Sequence, residues 1–464
     1  MLKVPKTQVP AGTGGMIDTV VMSGGAPQSP LMAGFLYEVL KAGKTFQSFH
    51  TSGAGALMAL LFIAPKNGDA CKALRNWVEA GVADDVYAGA PVNFKLFRKP
   101  GPFTPLFHFM AERLKVPRKG IPAATEDPIK KLLAEWLANK GPAPASSPTD
   151  RDALDRVVDR LQGMWTGTRN TTLYNQLIAG DDPIKRLRDA WLNSWLTDDD
   201  QKRAYNDLVE LAFSAMTPST LTFRSKGLAA PLPFLDEIVS FDKLKDLRVN
   251  RPDLHLCVNA YNMTEDARLG ATIGKGRAHR NPNVMQIFDQ TEIDAPHIRA
   301  AFSMPFIYPP ARILDDYYSE GADHQPINFH DLATNKISGN IQAALLDVLG
   351  DLEDLLVRTP RDLWDAYVIS IMTPVVALAN EDIDDFETAI GTHGVDLVHA
   401  DWQIPPEFKA YVMDWSYSNL DKLFETGQQA GRVFLYGDGK TKPPHINRLL
   451  DYGTVFGCPP PKCP

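Results

Sequence analysis

MIDTVVMSGGAPQSPLMAGFLYEVLKAG (residues 16–43) opens on a short apolar, β-branched run that ends in Gly-Gly, the pattern of a buried strand entering a tight turn. Leu31, Phe35, Val39 and Leu40 then recur at helical spacing, and Gly43 follows as a C-cap. The device is repeated at once. TFQSFH (residues 45–50) reads as a second strand, and FHTSGAGALMAL (residues 49–60) carries the chain through a bend of small residues into a helix that is apolar all round, hence buried. Strand, turn, helix, strand, bend, helix predicts an α/β fold: a mostly parallel central sheet with helices on both faces. In such sheets ligands sit where strand C-termini meet helix N-termini.

The rest of the composition bounds the function. The chain has 464 residues, enough for one large domain or several, with 44% hydrophobic and 22% charged residues, the balance of a soluble globular protein. A net charge of −8 argues against a nucleic-acid partner and against a broad electrostatic pull toward anionic membranes. The first 15 residues hold no apolar signal region, and the longest apolar stretch, about 54–64, is too short to span a bilayer. The expected location is cytoplasmic, with peripheral membrane contact left open. Cys71, Cys257, Cys458 and Cys463 are sparse, which suits a reducing compartment, and the tail GCPPPKCP reads as a Pro-rich terminus with two incidental thiols.

Between 68 and 236 the character changes. DPIKKLLAEWLANKG (127–141) and DDPIKRLRDAWLNSWL (181–196) are amphipathic helices with Pro at their first turn, joined through a Pro/Ser-rich stretch. This block is expected to be a helical insertion, lying over the site, between two parts of the core, 1–67 and 237–464. Strand character returns at LHLCVNAYNM (254–263). GNIQAALLDVLGDLEDLLVRT (339–359) predicts a long amphipathic helix, WDAYVISIMTP (364–374) a buried strand, and SNLDKLFETGQQAGRVFL (418–435) a last helix.

The chemistry concentrates in the small-residue turns. Ser23, Gly24, Gly25 and Ala26 lie between a strand and a helix N-terminus, where exposed backbone amides and the helix dipole suit a phosphate or a developing oxyanion. The stretch is neither a P-loop nor G-x-G-x-x-G. Three stretches together resemble the patatin-like acyl hydrolases. SGGAPQSPLMAGFL follows that family's S-G-G-G-x-R-G loop and A-G-x-L helix, and TSGAGALMA follows its G-T-S-A-G-A-L-N-A nucleophile turn. RAAFSMPFIYPPARILDDYYSEGA (299–322) follows its x-P-x-x-F-P-P stretch and D-G-G or D-G-A turn, with Tyr308 in place of phenylalanine. The C-terminal helix is similar to that of one branch of the family. The resemblance implies a three-layer α/β/α fold, a serine–carboxylate dyad acting on a lipid or other acyl ester, and no cofactor.

The departures fall on the site itself. Gln28 stands for the loop arginine, Ser29 for the glycine after it, Ala26 for the third glycine, and Glu320 for the catalytic aspartate. In the gapless register the serine position is Gly53. A nucleophile bend needs small residues two places before and after its tip. Gly53 at the tip gives Thr51 and Gly55; Ser52 at the tip gives His50 and Ala54. The dyad implied by the resemblance is Ser52 with Glu320, and the oxyanion donors are Gly24, Gly25 and Ala26. Asp323 and His324 are further acid candidates. A degenerate fold that binds without turnover is the alternative function, and acyl transfer to a non-lipid metabolite a second. The histidines show no H-x-x-x-H or H-E-x-x-H spacing, so no metal site is indicated. The basic GKGRAHR (274–280) reads as a solvated hairpin tip, and the acidic DIDDFE (382–387) lacks calcium-loop spacing. Nothing in the sequence fixes the oligomeric state.

Overall fold

The computed structural model describes residues 15–82, 235–264 and 285–463, apart from short stretches that include 26–27, 333–340 and 405–413. The described residues fall almost wholly in one compact unit, built from residues up to 78, 231–414 and 419–464; of the second unit, 79–230 with 415–418, only the ends are described. The two amphipathic helices expected near 127 and 181, and the basic run at 274–280, lie outside the described residues.

The strands are β1 (Thr19–Met22), β2 (Lys44–Thr45), β3 (Ser48–Thr51), β4 (His255–Asn262), β5 (Met285–Phe288), β6 (Ala311–Ile313), β7 (Asp316–Glu320), β8 (Ile341–Leu346), β9 (Val395–His399) and β10 (Leu450–Asp451). Eight of them form one sheet in the order β6-β7-β4-β3-β1-β8-β9, with β5 also on β4. The central run β4-β3-β1-β8-β9 is parallel, and β5, β6 and β7 add antiparallel pairs at one side. Helices α1 (Ser29–Lys41), α2 (Ala54–Ile63), α3 (Ala70–Asn76), α4 (Phe241–Asn250), α5 (Ala295–Ala301), α6 (Leu363–Thr388) and α7 (Tyr417–Tyr436) flank it, giving a three-layer α/β/α arrangement. Among the described residues no helix is long and apolar enough to cross a membrane.

Two expectations are reversed. Residues 341–346, expected in a helix, form β8, and 364–374, expected as a strand, lie in α6. The Ala/Leu-rich β8 is a good helix former by propensity, yet it is hydrogen-bonded to a parallel strand on each side, and Ala343 to Leu346 are all buried. A strand buried on both faces shows an unbroken apolar run without alternation, which periodicity alone does not separate from a buried helix. It stops where the Asp347 carboxylate accepts from the Leu349 and Gly350 amides, at 2.9 and 3.1 Å. In α6 the buried Val368, Met372, Val375, Val376, Ala379, Ile383 and Phe386 form one helical stripe. That stripe packs with Val21, Ala343, Leu345 and Val395 of the sheet, and its tertiary burial outweighs the β preference of Val and Ile.

Helix α1 is pressed against α7 by glycines. A Cβ on Gly34 would overlap the Phe424 carbonyl, and one on Gly427 would overlap that of Leu31. Glu38, 6% exposed, accepts from Arg432 Nη1 at 2.9 Å and Gln428 Nε2 at 3.0 Å across the same contact. The tail does not hold two incidental thiols: Cys463 is disulfide-bonded to Cys71 on α3, while Cys458 is exposed and free.

Candidate active site

Strand β3 and helix α2 meet at Gly53, whose backbone, at φ 44° and ψ −124°, lies where L-residues are strained and glycine is not. The tip of the bend is therefore residue 53. Two contacts make the bend compulsory. A Cβ on Gly55 would stand 2.6 Å from the Met22 carbonyl oxygen and 2.7 Å from that of Ser23, so only glycine lets α2 leave this close to β1. Thr51 is anchored by its hydroxyl, which donates to the Cys257 carbonyl of β4 at 2.8 Å.

Ser52 faces away from the tip. It is fully buried, its amide donates to the Met22 carbonyl at 3.1 Å, and its Oγ donates to the Gln325 carbonyl at 3.1 Å. The same Gln325 carbonyl accepts from Asn259 Nδ2 at 2.8 Å, Asn328 Nδ2 reaches the Thr51 carbonyl at 3.3 Å, and the Gly24 amide donates to the Pro326 carbonyl at 3.2 Å. Residues 325–328 thus form a brace that ties the bend, β4 and the glycine loop together, and Ser52 is one of its anchors. Its sequence signal is two buried asparagines with no chemistry attached, which sequence reasoning passed over.

Glu320 ends β7, which is held to β4 through the Ala260 pair, and its amide donates to the Ser303 carbonyl at 3.1 Å. The side chain is aimed at the tip: a Cβ built on Gly53 would overlap Glu320 Oε1, and would lie 3.1 Å from Ala322 Cβ and 3.4 Å from Gly24 Cα. The acid therefore occupies the place where a side chain at 53 would begin. Burial, and then the charge of Asp323, push the Glu320 carboxyl well above the usual carboxylate range. Burial raises Asp323 to about 7, and its Oδ2 has no hydrogen-bond partner among the described residues. Tyr308, 5% exposed, lies in the field of Glu320, and burial followed by that charge raises its phenol too. His324 is exposed and packs against Tyr261, with ring centroids 3.8 Å apart.

The expected oxyanion donors divide. The Gly24 amide is engaged by Pro326, Ala26 lies outside the described residues, and the Gly25 amide, at φ 106°, has no partner among the described residues. The Ala54 amide, in the first turn of α2, is likewise without an acceptor among them. It was not among the sequence candidates, although the residue after an elbow's tip is the general place for such a donor. Among the described residues no cluster of His, Cys, Asp and Glu is suited to a metal.

The family model described as patatin-like phospholipase matches residues 20–333, which takes in the glycine loop, the bend and the Glu320 turn. No curated protein sequence matches. Among solved structures, VipD from Legionella pneumophila aligns at 12% identity over 89% of this chain and 67% of its own, with a TM-score of 0.29, a likeness too low to bear on the argument. With its family model covering more than half of the chain and ending just past the Glu320 turn, the chain belongs to the patatin-like phospholipases, a family of lipid acyl hydrolases.

Proposed function

We propose that this member of the family recognises an acyl ester of a lipid at the elbow and that Gly53 stands in the nucleophile's place, so that no serine acyl-enzyme forms. The observation that carries the reading is the tip itself, a glycine at φ 44° with Glu320 Oε1 where its side chain would begin. The amides of Gly25 and Ala54 are the donors available to the ester carbonyl, placed at a helix N-terminus that favours developing negative charge. Only an uncharged or singly charged acyl group suits a site whose own acids are buried.

The test is a fluorophosphonate probe read by intact mass, together with calorimetric binding of an alkyl methylphosphonate, which mimics the tetrahedral oxyanion. No adduct and measurable phosphonate binding are expected. The second reading keeps Ser52 as nucleophile and Glu320 as its base. It is favoured by the position of Ser52, one residue from the tip, and it requires the bend to shift by one residue with loss of the Ser52–Gln325 hydrogen bond. An adduct mapped to Ser52 would establish it and remove the first.

A further inference from the structure

We propose that Glu320 activates a water molecule for direct attack on the ester carbonyl, so that hydrolysis is a single displacement at the elbow rather than two steps through an acyl-enzyme. The inference rests on the reading of Gly53 given above and adds the nucleophile that reading leaves out.

Three observations converge on it. A dyad needs the serine in front and the carboxylate behind it; here the carboxylate itself has come forward, with Oε1 at the origin of the absent side chain. Glu320 is longer than the family's aspartate by one methylene, and Gly53 is shorter than serine by one hydroxymethyl, so the two departures compensate in volume. The walls around Oε1 are small: Ala322, Gly24 and Gly53 meet there, with a Cβ on Gly24 only 2.9 Å from Ala322 Cβ. The proposal places a water within hydrogen-bond distance of that oxygen, roughly 2.6–3.2 Å. From there it faces a carbonyl whose oxygen is received by the Gly25 and Ala54 amides.

The bookkeeping of the step closes on these groups. The water oxygen forms a bond to the acyl carbon, its proton passes to Glu320 Oε1, and the carbonyl π pair moves onto the oxygen held by the amides. The tetrahedral species collapses with cleavage of the C–O bond to the alcohol. The proton on Glu320 goes to the departing alkoxide, which leaves acid, alcohol and the carboxylate as it began. Burial and the neighbouring Asp323 strengthen the base, since a carboxyl raised above the usual carboxylate range holds a proton more tightly than an ordinary one.

The experiment is p-nitrophenyl butyrate hydrolysis by the full chain in ordinary and in ¹⁸O-enriched water, before and after fluorophosphonate treatment. Turnover is expected to survive the probe and to place one ¹⁸O in the butyrate, with no label in the tryptic peptide that carries Glu320. Glu320→Gln should lower the rate by roughly 10²–10⁴-fold. Asp323→Asn, which removes the charge that raises Glu320, should move the rising limb of the pH–rate profile to lower pH while the fold is retained. Label in the Glu320 peptide would mean that the carboxylate itself attacks, and would overturn the proposal. Absence of turnover with phosphonate binding intact would overturn it while leaving the recognition reading in place. An acylated serine would remove both.

Discussion

If Gly53 and Glu320 have exchanged volume, restoring serine at 53 must fail alone and succeed with a shortened acid. In Gly53→Ser the new Cβ falls inside 3.0 Å of Glu320 Oε1, within 3.1 Å of Ala322 Cβ, and on a backbone with φ 44°. The backbone term costs about 1–2 kcal/mol for a residue with a Cβ, and crowding in a packed site adds about 1–3 kcal/mol. Glu320→Asp withdraws the carboxyl by one methylene, about 1.5 Å of bond length, which turns the overlap into ordinary contact. The backbone term persists, while the crowding term is relieved. A double-mutant cycle by urea denaturation should therefore return a favourable coupling of about 1–3 kcal/mol between Gly53→Ser and Glu320→Asp. The same pair of substitutions sets a hydroxyl beside a base. The double variant should take one fluorophosphonate at position 53 and hydrolyse p-nitrophenyl butyrate through an acyl-enzyme, with a burst at early times. Gly53→Ser alone should label poorly. Equal labelling and equal stability of the single and double variants would refute the reasoning, because the acid would then not occupy the seat of the side chain.

Other substitutions test the frame. Gly34→Ala should destabilise by about 1–3 kcal/mol or more, because its Cβ meets backbone, the Phe424 carbonyl and the Gln428 amide nitrogen at 2.8 Å, that has no freedom to give way; a neutral result in urea denaturation would mean that α1 and α7 are not this close. Asp323 has a native carboxyl at about 7 against roughly 4 when unfolded, so the native state binds the extra proton and stability falls as pH rises between those values. Asp323→Asn should accordingly gain on the natural chain from pH 4.5 to pH 8, and a constant difference across that range would contradict the burial of the pair. Cys463→Ser should cost about 2–4 kcal/mol under oxidising conditions and nothing after reduction, and a non-reduced digest should join the Cys71 and Cys463 peptides; a peptide joining Cys458 to Cys463 instead would refute this pairing.

What the sequence made legible, and what it did not, follows from where each signal resides. The strand–turn–helix repeat of residues 16–63 is local: β-branched runs, glycine at forced turns and an all-apolar helix each act over a few residues, and the fold class follows from their order. Helix and strand were exchanged at 341–346 and 364–374 for different reasons: β8 is buried on both faces, which removes the polar half of the pattern on which periodicity depends, while the β-preferring Val368, Ile369 and Ile371 lie on an amphipathic helix, buried at Val368 and Met372 and exposed at Ser370 and Thr373. The partner of Cys463 was hidden by distance, 392 residues along the chain, while the nearer Cys458 offered a misleading neighbour.

At the site the limitation is of another kind. Gly53 for serine and Glu320 for aspartate were each visible as departures from the family pattern, and separately each reads as damage: a lost nucleophile and a misplaced base. Their meaning lies in the contact between them, which no local pattern encodes. One side chain has contracted by the group that the other has extended into, and the brace at Gln325 has taken up the only adjacent hydroxyl. A decaying site has no reason to refill its own cavity with a carboxylate and to keep Ala322 and Gly24 small around it. Packing alone would sooner place an apolar side chain there, since a buried carboxyl raises the free energy of the native state at neutral pH. The persistence of that cost, concentrated at the bend where the family does its chemistry, is the physical reason to look for chemistry at Glu320 rather than for its absence at Gly53.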